Sequence, residues 1–187
     1  SIHKLININD SSNIAVVPVT KNVGCLSSHS IQEIGGDLVF LSPNGIRSVA
    51  GTVRIGDVEL GSVSRQIQEI ISNLATLIDT NTITSAVIRK KSQYRLFYSP
   101  PTGNIANAKG IIGTLTANGF EWSETKGIQA LGLDSGFDEE SIEKIFHGDK
   151  DGYIYNHDTG DSFLALGQTV NIDAQYVTPN FDFGDVG

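Results

Sequence analysis

The chain has no methionine and one cysteine, Cys25, so neither an internal disulfide nor a cysteine-rich zinc site can be built from it. Charge is scarce, at 18% of residues, and basic charge scarcer still: 13 Lys and Arg stand against 21 Asp and Glu, for a net of -8 and a pI near 4.8. A phosphate-binding footprint needs clustered Lys and Arg, so this balance argues against a nucleic-acid-binding surface. No apolar run approaches bilayer length and no basic-then-apolar signal segment opens the chain, so a soluble protein with no membrane span is expected. Also missing are a Gly-x-Ser-x-Gly elbow, a Gly-rich loop ending in Lys-Ser/Thr and a His-Glu-x-x-His pair. No catalytic residue and no cofactor is assigned, and the expectation is a protein that is not an enzyme. Carboxylate pairs for glycoside chemistry stay open, because Asp and Glu are numerous and their distances are unset by sequence.

What is present forms strands and turns. With 187 residues, 39% hydrophobic, and 20 glycines, the chain can bury one substantial core and reads as turn-rich β protein. Period-2 apolar patterning recurs over 2–8, 14–19, 30–34, 37–41, 46–50, 86–90, 94–99, 110–116, 120–125, 153–156 and 169–177. Turn signals lie between them at Asn44-Gly45, Lys91-Ser92-Gln93, Asn118-Gly119 and Asp151-Gly152. Asn44-Gly45 predicts a type I′ hairpin turn, both residues at positive φ, with Leu38, Phe40 and Ile46 sharing a face whose cover lies partly outside the chain. Residue 1 runs straight into a strand pattern, so a fragment is expected, its first strand having a sheet partner elsewhere.

One segment breaks the β pattern. Ile67, Ile70, Ile71, Leu74, Leu77 and Ile78 recur at helical spacing, predicting an amphipathic helix over about 64–78, started by Ser62 or Ser64 and packed in its own domain. A second, shorter helical patch is expected at Phe137–Ile142, and residues 100–108, with two prolines, read as an exposed loop.

Acidic residues dominate from Asp134 onward, opposed only by Lys144 and Lys150, which makes this region a solvated face or a cation site. The stretch His147–Asp158 aligns with a twelve-residue calcium loop, with Asp149, Asp151 and Asp158 as metal candidates and Gly152 at the turn. His147 stands where the first Asp belongs, Asp158 where a bidentate Glu belongs, and a strand pattern follows Gly152. A plain Asp-Gly hairpin is the stronger reading. His147 and His157 flank that hairpin, and two histidines brought together beside acids suit a transition metal. Cys25 and His29 are four apart, but Gly24 and Ser27-Ser28 oppose the helix a catalytic pair would need, leaving Cys25 as a small buried side chain. Phe97, Tyr98, Phe120, Trp122, Tyr153 and Tyr155 sit in strand patterns, as sheet packing or as a sugar or protein platform.

Taken in order, Asn22–Ser30, Gly36–Arg47, Lys91–Tyr98, Gly152–Tyr155 and Thr178–Asp185 resemble segments of tail proteins of short-tailed bacteriophages, of the nozzle or tubular type. The resemblance implies a mainly β fold of antiparallel hairpins in a propeller-like arrangement, with the helix at about 64–78 inserted. Residues 1–187 are then one such domain, or part of one. It further implies a virion location, a ring or tube wall of the protein's own copies beside other phage tail proteins, and DNA only as passing cargo. The acidic balance suits a wall past which DNA slides. A carbohydrate- or receptor-binding β module is the alternative.

Overall fold

The computed structural model describes residues 1–21, 23–50, 63–100, 102, 107–160, 162–165 and 168–172. Asn22, Ser62, most of the 100–108 loop and the 173–187 stretch, with its Thr178–Asp185 motif, lie outside them. The described residues are mainly β, in antiparallel sheets, with a short α-helix between the fifth and sixth strands. Two units divide the chain, Ser1–His157 and Asp158–Gly187.

In the first unit, β1 (Ile2–Ile6) and β2 (Ala15–Thr20) form a two-stranded sheet, and β3 (Gln32–Ile34), β4 (Asp37–Ser42) and β5 (Gly45–Ser48) a three-stranded one. After α1 (Gln68–Thr76) come β6 (Thr82–Ile88), β7 (Gln93–Ser99), β8 (Lys109–Thr116) and β9 (Gly119–Lys126), ordered 6-7-8-9 in one sheet. A third sheet holds β10 (Gly132–Phe137), β11 (Glu143–Gly148) and β12 (Ile154–Asn156). The second unit contains the hairpin of β13 (Ser162–Ala165) and β14 (Gln168–Asn171). The propeller-like arrangement does not emerge: the described sheets have two, three or four strands and do not repeat a common blade.

The core lies between the β3–β5 and β6–β9 sheets. Val39, Leu41 and Ile46 from the first, and Val87, Tyr94, Leu96 and Ile111 from the second, meet Ile71 and Leu74 of α1. The helix therefore packs in its own domain, as its apolar stripe predicts. It is shorter than expected, because Arg65–Ile67 form a 3₁₀ turn and the chain leaves the helix at Leu77, which is exposed. Ser64 is not its cap: the buried hydroxyl accepts the Ile46 N–H at 2.9 Å, while the Val63 N–H donates to the Ile46 carbonyl at 2.9 Å. These two bonds occupy the outer edge of β5.

β6 and β7 are buried along almost their whole length, which requires cover on both faces. The core covers one. On the other side, His157 meets Phe97 at 5.6 Å between ring centroids, and β10 lies along β6, with the Ser135 hydroxyl donating to the Val87 carbonyl at 2.8 Å. The buried Tyr94 phenol donates to the Ser30 carbonyl at 2.9 Å, and burial pushes its pKa up.

Two hairpins use one turn device that differs from the expected one. The tips are Pro43-Asn44 and Ala117-Asn118, because Ser42 pairs with Gly45 and Thr116 with Gly119. Proline fixes Pro43 at negative φ, ruling out a type I′ turn, so the positive φ falls on the glycine that opens the next strand: 133° at Gly45 and 110° at Gly119. In both, the preceding hydroxyl closes the turn, Ser42 Oγ donating to the Gly45 carbonyl at 2.7 Å and Thr116 Oγ1 to the Gly119 carbonyl at 2.9 Å. The turn with both central residues at positive φ is Gly35-Gly36, at 63° and 78°.

Three further expectations are corrected. Ile46 pairs with Leu41 and enters the core, so it lies on the face opposite Phe40, which pairs with Arg47; Phe40 is itself buried, and Leu38 alone of the three is exposed. Phe137–Ile142 is not helical. Asp138 Oδ1 accepts the Glu140 and Ile142 N–H groups at 3.1 and 2.8 Å, and Ser141 sits at φ 60°, so the carboxylate folds a β10–β11 turn. Cys25 is exposed, its thiol donating to the Ser27 carbonyl at 2.8 Å.

Candidate functional site

The acidic hairpin is held together by the residues that make it look like a cation loop. Asp149 Oδ1 accepts the backbone N–H groups of Asp151 and Tyr153, both at 2.9 Å, and its Oδ2 accepts the Tyr155 hydroxyl at 3.1 Å. Asp151 accepts from the Lys150 ammonium at 2.7 Å, and Gly152 supplies a φ of 85°. Asp158, at φ 60°, begins the second unit. Asp149 and Asp151 are thus committed within the hairpin: one organises the loop and the other pairs with the lysine beside it. β12 follows the loop where a calcium loop would need a helix. Among the described residues, no three His, Cys, Asp or Glu side chains converge as metal ligands.

The histidines do come together. His147 Nδ1 and His157 Nε2 are 2.6 Å apart, so one ring donates its N–H to the other. His147 stacks on Tyr155 with centroids 4.9 Å apart and planes at 13°, and meets His157 edge-on. Burial holds the His147 imidazole below its ordinary pKa, and the Asp149 charge pulls the other way. The pair joins the end of β12 to β11 and, through Phe97, to the four-stranded sheet. Cys25 and His29 show no such pairing, since Cys25 bonds to Ser27 and the His29 carbonyl accepts the Ser85 hydroxyl at 2.6 Å.

Of the six aromatics proposed as a platform, Phe97 and Tyr98 are buried. Phe120 and Trp122 stack at 5.3 Å and pack against the core, where Trp122 donates its indole N–H to the Val63 carbonyl at 2.9 Å. Tyr155 is half-buried and bonded to Asp149. Tyr153 stands out, 57% exposed.

Two apolar surfaces that the sequence did not single out are open to solvent. The first is the β1–β2 hairpin, where the cross-strand partners Leu5 and Val16 are each 62% exposed, with Ile8 and Ile14 exposed beside its tip. The tip is tied by Asp10, which accepts from the Ser12 N–H at 3.0 Å and the Asn13 amide at 2.6 Å, bonds that lower its pKa. An open depression of about 680 Å³ lies over Asn7–Asp10 and Asn13.

The second surface is the outer face of the β10–β12 sheet. Pairing of Asp134 with Phe146, of Phe146 with Asn156 and of Gly148 with both Gly132 and Ile154 puts these residues, with Gly136, on one side. Phe146 is 45% and Ile154 77% exposed. A Cβ built on Gly132 or Gly136 meets nothing within 4 Å, and one on Gly148 meets only the Tyr153 carbonyl at 3.9 Å. Short, glycine-broken alternation over 132–137 gives little strand signal, because Gly, Asp and Ser are depleted in strands.

Comparison of the chain with protein-family models, characterised proteins and solved structures finds no match.

Proposed function

We propose that the chain is a structural component of a bacteriophage tail, a nozzle or tubular wall piece that assembles with copies of itself in a ring or tube for DNA passage. The observation that carries this reading is the pair of apolar surfaces, on β1–β2 and on β10–β12, that remain exposed in the single chain. A protein that acts alone gains nothing from exposing Leu5, Val16, Phe146 and Ile154, whereas a wall subunit requires faces of this kind. The polar side chains nearby are committed to turns, as Asp149 and Asp138 show, which suits a scaffold more than a chemical site. The ordered hairpin segments that resemble phage tail proteins supply the context.

Negative-stain imaging of the full-length protein, alone and with other tail proteins, tests the reading. Rings or tubes are expected, and a persistent monomer under both conditions overturns it. The carbohydrate- or receptor-binding alternative rests on Tyr153, since Trp122 is engaged inside the fold. Glycan binding that disappears in Tyr153→Ala would favour it.

A further inference from the structure

We propose that Asn118 is a site of spontaneous covalent modification, losing its side-chain amide to attack by the next backbone nitrogen, and that the fold directs this reaction to Asn118 over Asn44. Such a site goes beyond self-assembly and does not depend on it. The sequence contains two Asn-Gly pairs, each with its asparagine in the two-residue tip of a hairpin and its glycine opening the next strand. Every other asparagine is followed by a residue with a Cβ, which crowds the approach of the backbone nitrogen to the side-chain carbonyl. In sequence the two pairs are alike. Their surroundings are not.

The chemistry balances with water alone. The Gly119 nitrogen gives up its proton to hydroxide and bonds to Asn118 Cγ; the Cγ–Nδ2 bond breaks, and Nδ2 takes a proton from water and leaves as ammonia. A succinimide ring results. Water then adds to either ring carbonyl and breaks that carbonyl's bond to nitrogen, giving aspartate or isoaspartate. Both products add a negative charge, and isoaspartate also lengthens the main chain by a carbon atom.

Closing the ring requires a free glycine nitrogen, and in both hairpins that glycine is paired across the turn, Gly45 with Ser42 and Gly119 with Thr116. The rate therefore follows how easily each tip opens. At Asn44 opening reaches the core at once. Ser42 and Gly45 are buried, the Ser42 hydroxyl accepts from the buried Arg47 Nε at 3.2 Å, and Ile46 of the core has its N–H and carbonyl held by Ser64 and Val63, each at 2.9 Å. Pro43 further stiffens that tip. At Asn118 less is lost. Thr116, Gly119 and Phe120 are only half-buried, β9 stands at the end of the 6-7-8-9 order, and among the described residues a Cβ on Gly119 meets nothing within 4 Å. Beyond the strand pairing, the Thr116 hydroxyl holds the tip, accepting the Asn118 N–H at 3.2 Å and donating to the Gly119 carbonyl at 2.9 Å.

The test incubates the 187-residue chain in mildly alkaline buffer, native and in urea, and follows both asparagines by peptide mass mapping, with an isoaspartyl methyltransferase to count isoaspartate. In the native chain Asn118 is expected to react at least about tenfold faster than Asn44, because its tip opens more readily. In urea, where neither tip is held, the two rates are expected to converge to within about threefold. Thr116→Val, which removes the hydroxyl from the tip, is expected to speed the native reaction at Asn118 by about fivefold and leave Asn44 unchanged, with circular dichroism establishing that the variant is folded. Native rates that are equal, or faster at Asn44, overturn the proposal, as does an Asn118 that keeps its amide in the native chain for as long as Asn44 does. The same ratio in urea as in native buffer assigns the preference to Pro43 and Ala117 as sequence neighbours and overturns the role of the fold. An unchanged Asn118 rate in Thr116→Val overturns tip opening as the controlling step.

Discussion

The sheets β6–β9 and β10–β12 are both antiparallel meanders of neighbouring strands, yet they treat glycine and apolar side chains in opposite ways. In the first, Leu96, Phe97 and Ile111 are fully buried, and the aromatic rings of Phe97 and Trp122 lie over Gly110 and Gly113. In the second, Phe146 and Ile154 point into solvent and Gly132 and Gly136 lie bare. One sheet is completed by its own chain. The other has an inner face that is completed, by Ile145 and the histidine pair, and an outer face that is not.

The largest expected contrast comes from truncating one apolar residue in each sheet. Leu96→Ala, in the core, is expected to cost about 2–5 kcal/mol in urea unfolding. Phe146→Ala, on the open face, is expected to change the stability of the monomer by no more than about 0.5 kcal/mol. Equal costs would break the comparison. Next come the glycines: Gly110→Ala forces a methyl group into the immobile Phe97 ring and is expected to cost about 1–3 kcal/mol. Gly136→Ala, which meets nothing, is expected to leave the melting temperature unchanged or raise it slightly.

Smaller effects sharpen the comparison within the second sheet. Asp149→Ala removes an acceptor of three hydrogen bonds and is expected to cost about 1–2 kcal/mol, whereas Asp151→Ala breaks only a surface pair and is expected to cost under about 0.5 kcal/mol. Equal losses from the two would remove Asp149 from its organising role. The smallest effect is that of pH. The fold favours neutral His147, so the unfolded chain takes up its proton first as pH falls. The stability His147 contributes is complete above the unfolded value of about 6.5 and declines as pH drops through the lower folded pKa. Urea midpoints at pH 7.5 and 5 are expected to differ less in His147→Gln than in wild type, and an equal difference would show that the imidazole is not the linked group.

Much of the completed sheet was legible in the sequence, and little of the open one. Strands β7, β8 and β9 stand within one residue of the segments marked by apolar alternation, since Val, Ile and aromatic residues in period 2 report burial on a pleated surface. β10 and β11 were missed for the same reason: a face open to solvent carries Gly132, Asp134 and Gly136, which write no hydrophobic period. The short patch at Phe137–Ile142 imitated a helix start because an acidic side chain serves a helix N-terminus and a β-turn equally well. The Asn-Gly tips were located to within a residue, but their conformation was not, as Pro43 decides the sign of φ at its own position. That His147 and His157 approach was foreseeable from their places flanking the hairpin; that they share a proton depended on distances only the fold supplies. At Asp149, Asp151 and Asp158, spacing suggested a cation, while the backbone N–H groups that claim Asp149 left no trace in the sequence.

The neighbour-to-neighbour order of the strands has a consequence for how the protein is made. Within every described sheet each strand pairs with the next one along the chain, so each ladder closes over a short loop and little chain entropy is lost before its contacts form. Hairpins tipped by Pro43-Asn44 and Ala117-Asn118 can zip as soon as both their arms have left the ribosome, without waiting for the C-terminal residues. Closing the β3–β5 sheet on β6–β9, whose contacts span Gln32 to Ser85, is expected to come later, because a longer stretch of chain must be ordered first. A chain whose hairpins close early gains from such an order, because its outward-facing apolar strands spend the least time beside unfinished neighbours.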